Sequence, residues 1–259
     1  MRIVVCVKTV PGSVLEMRLD RTTQRLVRTG RFTLSSLDRH AVEAAARLKS
    51  ANSGAEAIAI AMAPSAGTPA LREALSVGID RAVLIADSRL EGSDMLATSR
   101  VLAAAIARES PDIVLWGPQS DDGGGSMLWA AVAERLALPA VSQAVELELT
   151  DGVVVARRQT EHGYETLRSP LPVLVSVGTA VNQPRLASVK GKVAARGKPI
   201  QLVNLETLGL APDAVGVTGS RTTVLATGKP PERPPAIVFR DVDEPTEQIF
   251  AYLSAKGLV

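Results

Sequence analysis

The sequence predicts an α/β fold: a doubly wound, mostly parallel sheet with added hairpin strands and a long C-terminal extension. Three observations predict it. Short β-branched apolar runs alternate with Ala-rich helical segments through the first half of the chain. Alternating strand-length pieces joined by turn residues follow between residues 145 and 177. From Gly178 onward the chain is punctuated by prolines, and the charge there is one-sided.

Taken in order, Ile3 to Val7 reads as a buried strand bounded by Lys8 and Pro11-Gly12. Glu16 to Leu19 and Arg25 to Arg28 are alternating pieces around polar Asp20 to Gln24, which predicts a small excursion hairpin. Ser35 or Ser36 is the expected cap of a helix whose Ala41, Ala45 and Leu48 share one face, closed by Asn52-Ser53-Gly54. A strand over Ala55 to Ala61, a loop over Pro64 to Pro69, and a helix over Leu71 to Val77 closed by Gly78 come next. Ala82 to Ala86 is a further strand, and Ser93 or Asp94 starts a helix with Leu102, Ala105 and Ile106 on its inner face. Ile113 to Trp116 is the strand that follows, and an Ala-rich helix begins near Met127 and ends near Leu138-Pro139. Val145 to Leu149, Val153 to Arg157, Tyr164 to Arg168 and Val173 to Val177 read as hairpin strands extending or flanking the sheet. A last helix is expected around Pro245 to Ala255.

Composition narrows the classes. Hydrophobic residues make up 46% and charged residues 22% of 259, which sets aside a disordered or fibrous chain. Twenty-nine basic against 27 acidic residues leave +2, too little for general attraction to nucleic acid. No run of about 18 uncharged apolar residues exists for membrane insertion, and Met1 to Lys8 is too short for a signal segment. The one cysteine, Cys6, allows no internal disulfide and fits a reducing cytoplasm. His40 and His162 stand alone at no metal-ligand spacing, so no metal is assigned.

The stretch from Asp112 to Ser126 organises the rest. An apolar run stops at Gly117, passes through Pro118-Gln119-Ser120-Asp121-Asp122, and reaches Gly123-Gly124-Gly125 before a helix. In an open α/β sheet, ligands sit at the carboxyl ends of the strands, and a Gly-rich turn at a helix start offers free N–H groups to an anion. A flexible surface turn is the equally ordinary alternative. From Thr166 to Leu205 there is no carboxylate, while Arg168, Arg185, Lys190, Lys192, Arg196 and Lys198 fall in that window, either as a docking surface for an acidic partner or as a solvated face.

An ordered set of pieces spans nearly the whole chain: Ile3 to Pro11, Ala41 to Lys49, Arg72 to Ala82, Gly117-Pro118-Gln119 with Asp122, and Val155 to Arg158 through Glu161 to Leu167 to Leu171-Pro172-Val173-Leu174-Val175. Asn182-Gln183-Pro184-Arg185 and Pro230 to Arg233 complete it. Together they resemble the β subunit of electron transfer flavoproteins, the nitrogen-fixation-operon branch included. The resemblance implies a Rossmann-like, adenine-nucleotide-binding sheet and an electron carrier, not an enzyme. It implies a heterodimer in which a homologous α subunit holds most of the FAD. This subunit would bind AMP, as ordinary carriers do, or a second FAD, as electron-bifurcating ones do. Donors would be dehydrogenases of the acyl-CoA type, and the acceptor a quinone oxidoreductase or another protein. The expected division is a nucleotide-binding domain over residues 1–178 and an extension over 179–259 that wraps the partner, with a partner-recognition loop near 184–198.

Carried over by position, the resemblance implies nucleotide contacts at Cys6, at Ser35, Ser36, Leu37 and Asp38, at Met62, and at Gln119, Asp122, Gly123, Gly124, Gly125, Ser126 and Met127. Cys6 and Met62 also read as ordinary core residues, and Ser35-Ser36 as a plain helix cap. Ser13 would lie near the flavin ring, and Val189 with Lys190 and Lys192 would meet the dehydrogenase. The loop departs from its relatives: Gly123 to Met127 stands where they carry further acidic and polar side chains, so bare backbone replaces side-chain donors. AMP, a second FAD and an empty site are all compatible with these residues. An adenylating enzyme of this sheet type would need a Ser/Gly-rich phosphate loop after its first strand, where this chain has Lys8 to Ser13. A nucleotide sensor of the universal-stress type would end near the last strand, without a basic tail.

Overall fold

A computed structural model describes residues 1–12, 17–233, 235, 236, 238 and 245–259. Its strands are β1 (Arg2–Cys6), β2 (Thr9–Pro11), β3 (Phe32–Leu34), β4 (Glu56–Met62), β5 (Arg81–Ile85), β6 (Ile113–Trp116), β7 (Ala140–Thr150), β8 (Val153–Thr160), β9 (Gly163–Pro170), β10 (Val173–Val177) and β11 (Ile200–Val203). Its helices are α1 (Asp38–Ala51), α2 (Thr68–Ser76), α3 (Met95–Glu109), α4 (Leu128–Leu136), α5 (Val189–Gly197), α6 (Gly216–Gly219) and α7 (Pro245–Ala255).

Among the described residues nine strands form one sheet in the order β11-β5-β4-β1-β6-β10-β7-β8-β9. The strands from β11 to β10 run parallel, β7 starts parallel to β10, and the β7-β8-β9 end is antiparallel. Alternation along β1 divides the core between the two faces. Ile3, Val5 and Val7 pack with α1 and α2, while Val4 and Cys6 pack with α3 and α4. Ile3, Ile58, Ile60, Ile113 and Leu115 are fully buried, and each contributes roughly 1.5–3 kcal/mol by leaving water. The alternating β/α order expected of the first half is therefore present.

Several expectations need correction. Val173 to Val177 is not a hairpin strand but β10, an inner parallel strand beside β6. All five of its residues are buried, the pattern of a strand covered on both faces. β7 starts at Ala140, five residues before its alternating part, because its first residues pair with β10 and only the rest with β8. Its change of partner coincides with Gln143 at φ +48° and a bulge between Ala144 and Glu146. Neither Ser35 nor Ser36 caps α1; Leu37 is the cap residue and no side chain bonds there. The loop expected over Pro64 to Pro69 instead holds a 3₁₀ turn at Ser65–Gly67 and the start of α2, with Pro69 in its first turn. Asp94, of the two candidates, caps α3 by accepting the Ala97 N–H at 2.8 Å.

Glu16 lies outside the described residues; among the described ones the excursion hairpin carries a bridge between Leu19 and Leu26, with the pair β2 and β3 at its root. The chain divides into compact units at Met1–Val224 and Leu225–Val259. Residues 189–203 supply α5 against α2 and the edge strand β11 against β5. In the second unit, α7 exposes Ile249 and Phe250. No helix among the described residues is long and apolar enough to cross a membrane.

Candidate functional site

The chain leaves β1 through α1 to β4 on one side and reaches β6 on the other, so the carboxyl ends of β1 and β6 flank a topological switch point. Two loops meet there. One starts at Lys8, and the other runs from Gly117 to Met127. The Lys8 ammonium lies 2.7 Å from Asp122 Oδ1, and Arg28 Nε from the excursion donates to Asp122 Oδ2 at 2.6 Å. The Asp122 side chain is wholly buried; burial pushes its carboxyl up, but Lys8 and Arg28 outweigh this and hold it below the usual carboxylate range. Asp121 accepts both the Ser36 N–H at 2.6 Å and the Ser36 hydroxyl at 2.9 Å. Asp38, buried beneath, accepts the Lys8 N–H at 2.7 Å.

A cleft of about 590 Å³ opens over these loops and is bordered by Pro11, Leu34, Ser36, Leu37, Gln119 and Gly124, with Arg39 and Asp121 as its charged groups. That volume falls in the roughly 300–1,000 Å³ range of small-molecule sites. Ser35 Oγ is fully buried with no hydrogen-bond partner among the described residues, an unmet polar group near the crevice. Beyond the cleft, α4 begins at Leu128 with no side-chain cap among the described residues, after Gly123 to Gly125, Ser126 and the cap residue Met127. A Cβ added at Gly124 or Gly125 would meet nothing within 4 Å, and Gly124 sits at φ +58°. An uncapped helix start behind a bare glycine loop can receive an anion.

Of the residues expected at a nucleotide, Ser36, Leu37, Gln119 and Gly124 border the cleft. Ser35 and Asp38 are buried, Asp122 is held between its two cations, and Gly123, Gly125, Ser126 and Met127 are exposed along the approach to α4. Cys6 and Met62 pack in the core on the α3/α4 face. Burial above all, with Asp38 adding to it, pushes the Cys6 thiol well up, which makes it an apolar wall and not a nucleophile. The α1 start does not offer a free Ser36 N–H, because Asp121 takes it. Ser13 lies outside the described residues. Lys8, Arg28, Arg39, Ser120 and Asp121 were not singled out; Lys8 at the end of an apolar strand was a local signal, but Arg28 meets Asp122 across 94 positions and had none.

The residues expected to recognise a partner lie on a helix and not a loop. Ser188 caps α5 by accepting the Gly191 N–H, and a Cβ at Gly191 would overlap the Ser76 carbonyl, so glycine lets α5 lie close on α2. Val189 is 80% exposed, beside exposed Leu186 and Val193, with Lys190 and Lys192 between them. The rest of the basic window is partly internal. Arg185 grips buried Glu43, and Lys198 donates to the Leu75 and Ile79 carbonyls. Among the described residues no cluster of His, Cys, Asp or Glu is placed to hold a metal ion.

The family model of the electron transfer flavoprotein domain matches residues 23–208. The caffeyl-CoA reductase-Etf complex subunit CarD of Acetobacterium woodii is 37% identical, over 90% of this chain and 89% of that one. The electron transfer flavoprotein subunit beta of Mycobacterium tuberculosis is 33% identical over 99% of both chains, and that of Megasphaera elsdenii 32% over 96% and 94%. A likeness of this depth across nearly the full length, on the sheet and loops described above, leaves one conclusion: the chain belongs to the electron transfer flavoprotein family, as a beta-type subunit with an electron-transfer role in an Etf complex.

Proposed function

We propose that this chain binds an adenine nucleotide at the β1/β6 switch point and passes electrons only as part of a complex with a flavin-holding α subunit. The observation that carries the reading is the convergence of the Lys8 and Gly117–Met127 loops on an uncapped α4 behind three glycines. Backbone N–H groups at α4 would take the phosphate, and the crevice near Ser35 and Asp38 the sugar and base. The flavin supplies the redox chemistry when bound; this chain's residues bind, orient and exclude water. Leu186, Val189 and Val193, rimmed by Lys190 and Lys192, present an apolar patch with a cationic edge, suited to an acidic-rimmed pocket on a dehydrogenase. A relative named for a caffeyl-CoA reductase complex favours an acyl-CoA-type partner. The extension over 179–259, with the apolar side chains of α7, is read as wrapping the α subunit.

The test is the stoichiometry of nucleotides released by denaturing the chain co-purified with its α subunit. One FAD with one AMP is the result expected of an ordinary carrier, and two FAD would assign the bifurcating type. One FAD alone would refute nucleotide binding by this chain.

A further inference from the structure

Asp38 is 4% exposed and sits between the ends of β1 and β6. One carboxylate oxygen accepts the Lys8 N–H at 2.7 Å, and the other lies so close to Gly117 that no Cβ fits there. Among the described residues it has no ion-pair partner: the Lys8 ammonium is turned to Asp122 at 2.7 Å and to the Ser120 hydroxyl at 3.3 Å. Among the described residues the titratable and charged groups facing it are Cys6 from β1, Lys8 just beyond it, and Asp121 and Asp122 from the loop after β6. Two of these are carboxylates. Burial first, then Asp121 and Asp122, lift the Asp38 carboxyl to about 7 against the pull of the Lys8 N–H and ammonium.

An anionic nucleotide adds negative charge to a buried carboxyl that already lacks a counter-ion. We propose that Asp38 takes up a proton when the nucleotide binds, so that the crevice holds its nucleotide more weakly as pH rises from neutrality. This rests on the reading of the crevice as the nucleotide site. The proton comes from solvent and returns to it on release; no other bond changes.

The experiment titrates AMP, and separately FAD, into the nucleotide-stripped αβ complex by calorimetry in two buffers of unlike ionisation enthalpy, from pH 7 to 8.5. Expected is net uptake of a fraction of a proton, with Kd rising by at most about tenfold per pH unit. In Asp38→Asn, whose amide oxygen can still accept the Lys8 N–H, this part of the uptake and of the slope disappears. The ligand's own phosphate titration is common to both proteins and cancels in the difference. In the unsubstituted complex at pH 8, infrared difference spectra should gain a protonated-carboxyl band on adding nucleotide, which tests the idea even if the variant does not fold. Equal proton uptake in Asp38→Asn, or no such band, overturns the proposal while leaving the site intact. If neither AMP nor FAD binds the unsubstituted complex at any pH, the site and the proposal are overturned together.

Discussion

The Lys8 ammonium stands 2.7 Å from Asp122 Oδ1, and although the lysine is 38% exposed the aspartate side chain is at 0%. This contact joins the end of the first strand to the glycine loop, and Arg28 completes it from the excursion. Because the buried partner is the carboxylate, removing a cation strands charge inside and is costlier than breaking a surface pair. Lys8→Met and Arg28→Gln should each destabilise by roughly 1–3 kcal/mol, and the double variant by more than either, because Asp122 then loses both partners. Thermal unfolding of the co-purified complex measures this. Variants that melt with the parent would reduce the triad to a surface ornament.

Glu43 is 3% exposed and accepts from Arg47 Nε and Arg185 Nε, both at 2.7 Å, as well as from the Arg185 N–H at 3.2 Å. Burial pushes its carboxyl up, but the bonds from Arg185 and Arg47 outweigh that and hold it below the usual glutamate range. Its contribution is therefore present above the unfolded glutamate value of about 4.3 and is lost as pH falls through the lower folded value. Glu43→Gln should cost roughly 2–4 kcal/mol at pH 7 and flatten the acid limb of a melting-temperature profile between about pH 5 and 3. An unchanged acid limb would mean that another carboxylate governs it.

The parts of this fold written in local pattern were legible. Ile113 to Trp116 follows directly from an apolar run, and the cap of α3 is narrowed by residue type to Ser93 or Asp94, of which Asp94 bonds three residues on. What was missed depends on distant partners. Val173 to Val177 has the composition of any apolar strand, and only its pairing with β6 makes it an inner one. The site divides the same way: the glycine loop announces itself, whereas the Arg28–Asp122 pair and the Ser36–Asp121 contact join residues 94 and 85 positions apart. Ser36 looked like a cap by residue type, yet a carboxylate from another loop performs that role on its own N–H.

Gly117 is required by packing and not by a special backbone angle. A Cβ there would overlap the Asp38 carboxylate and come within 3.2 Å of Asp38 Cα. Gly117→Ala should destabilise by roughly 1–3 kcal/mol and loosen the end of β6. Adding Asp38→Ala should recover part of the loss but not all, since the close Cα remains. Full recovery, read from melting temperatures of the single and double variants, would locate the clash in the side chain alone.

Gly124 separates a structural loop from an anion-holding one. Its φ of +58° disfavours any side chain, but a Cβ there meets only open space, so substitution costs backbone strain and no packing. Alanine in that conformation costs about 1 kcal/mol, and aspartate tolerates the left-handed region better. On backbone grounds alone, therefore, Gly124→Asp should be milder than Gly124→Ala. If the loop faces a phosphate the order reverses, because the carboxylate repels the ligand while alanine leaves the N–H groups in place. The expected outcome is at least tenfold weaker nucleotide retention in Gly124→Asp than in Gly124→Ala, a difference of about 1.4 kcal/mol. Equilibrium dialysis of the two complexes against AMP and against FAD measures it, and raising the salt concentration should narrow the gap if charge is its source. Equal retention in both variants would place the phosphate away from this loop.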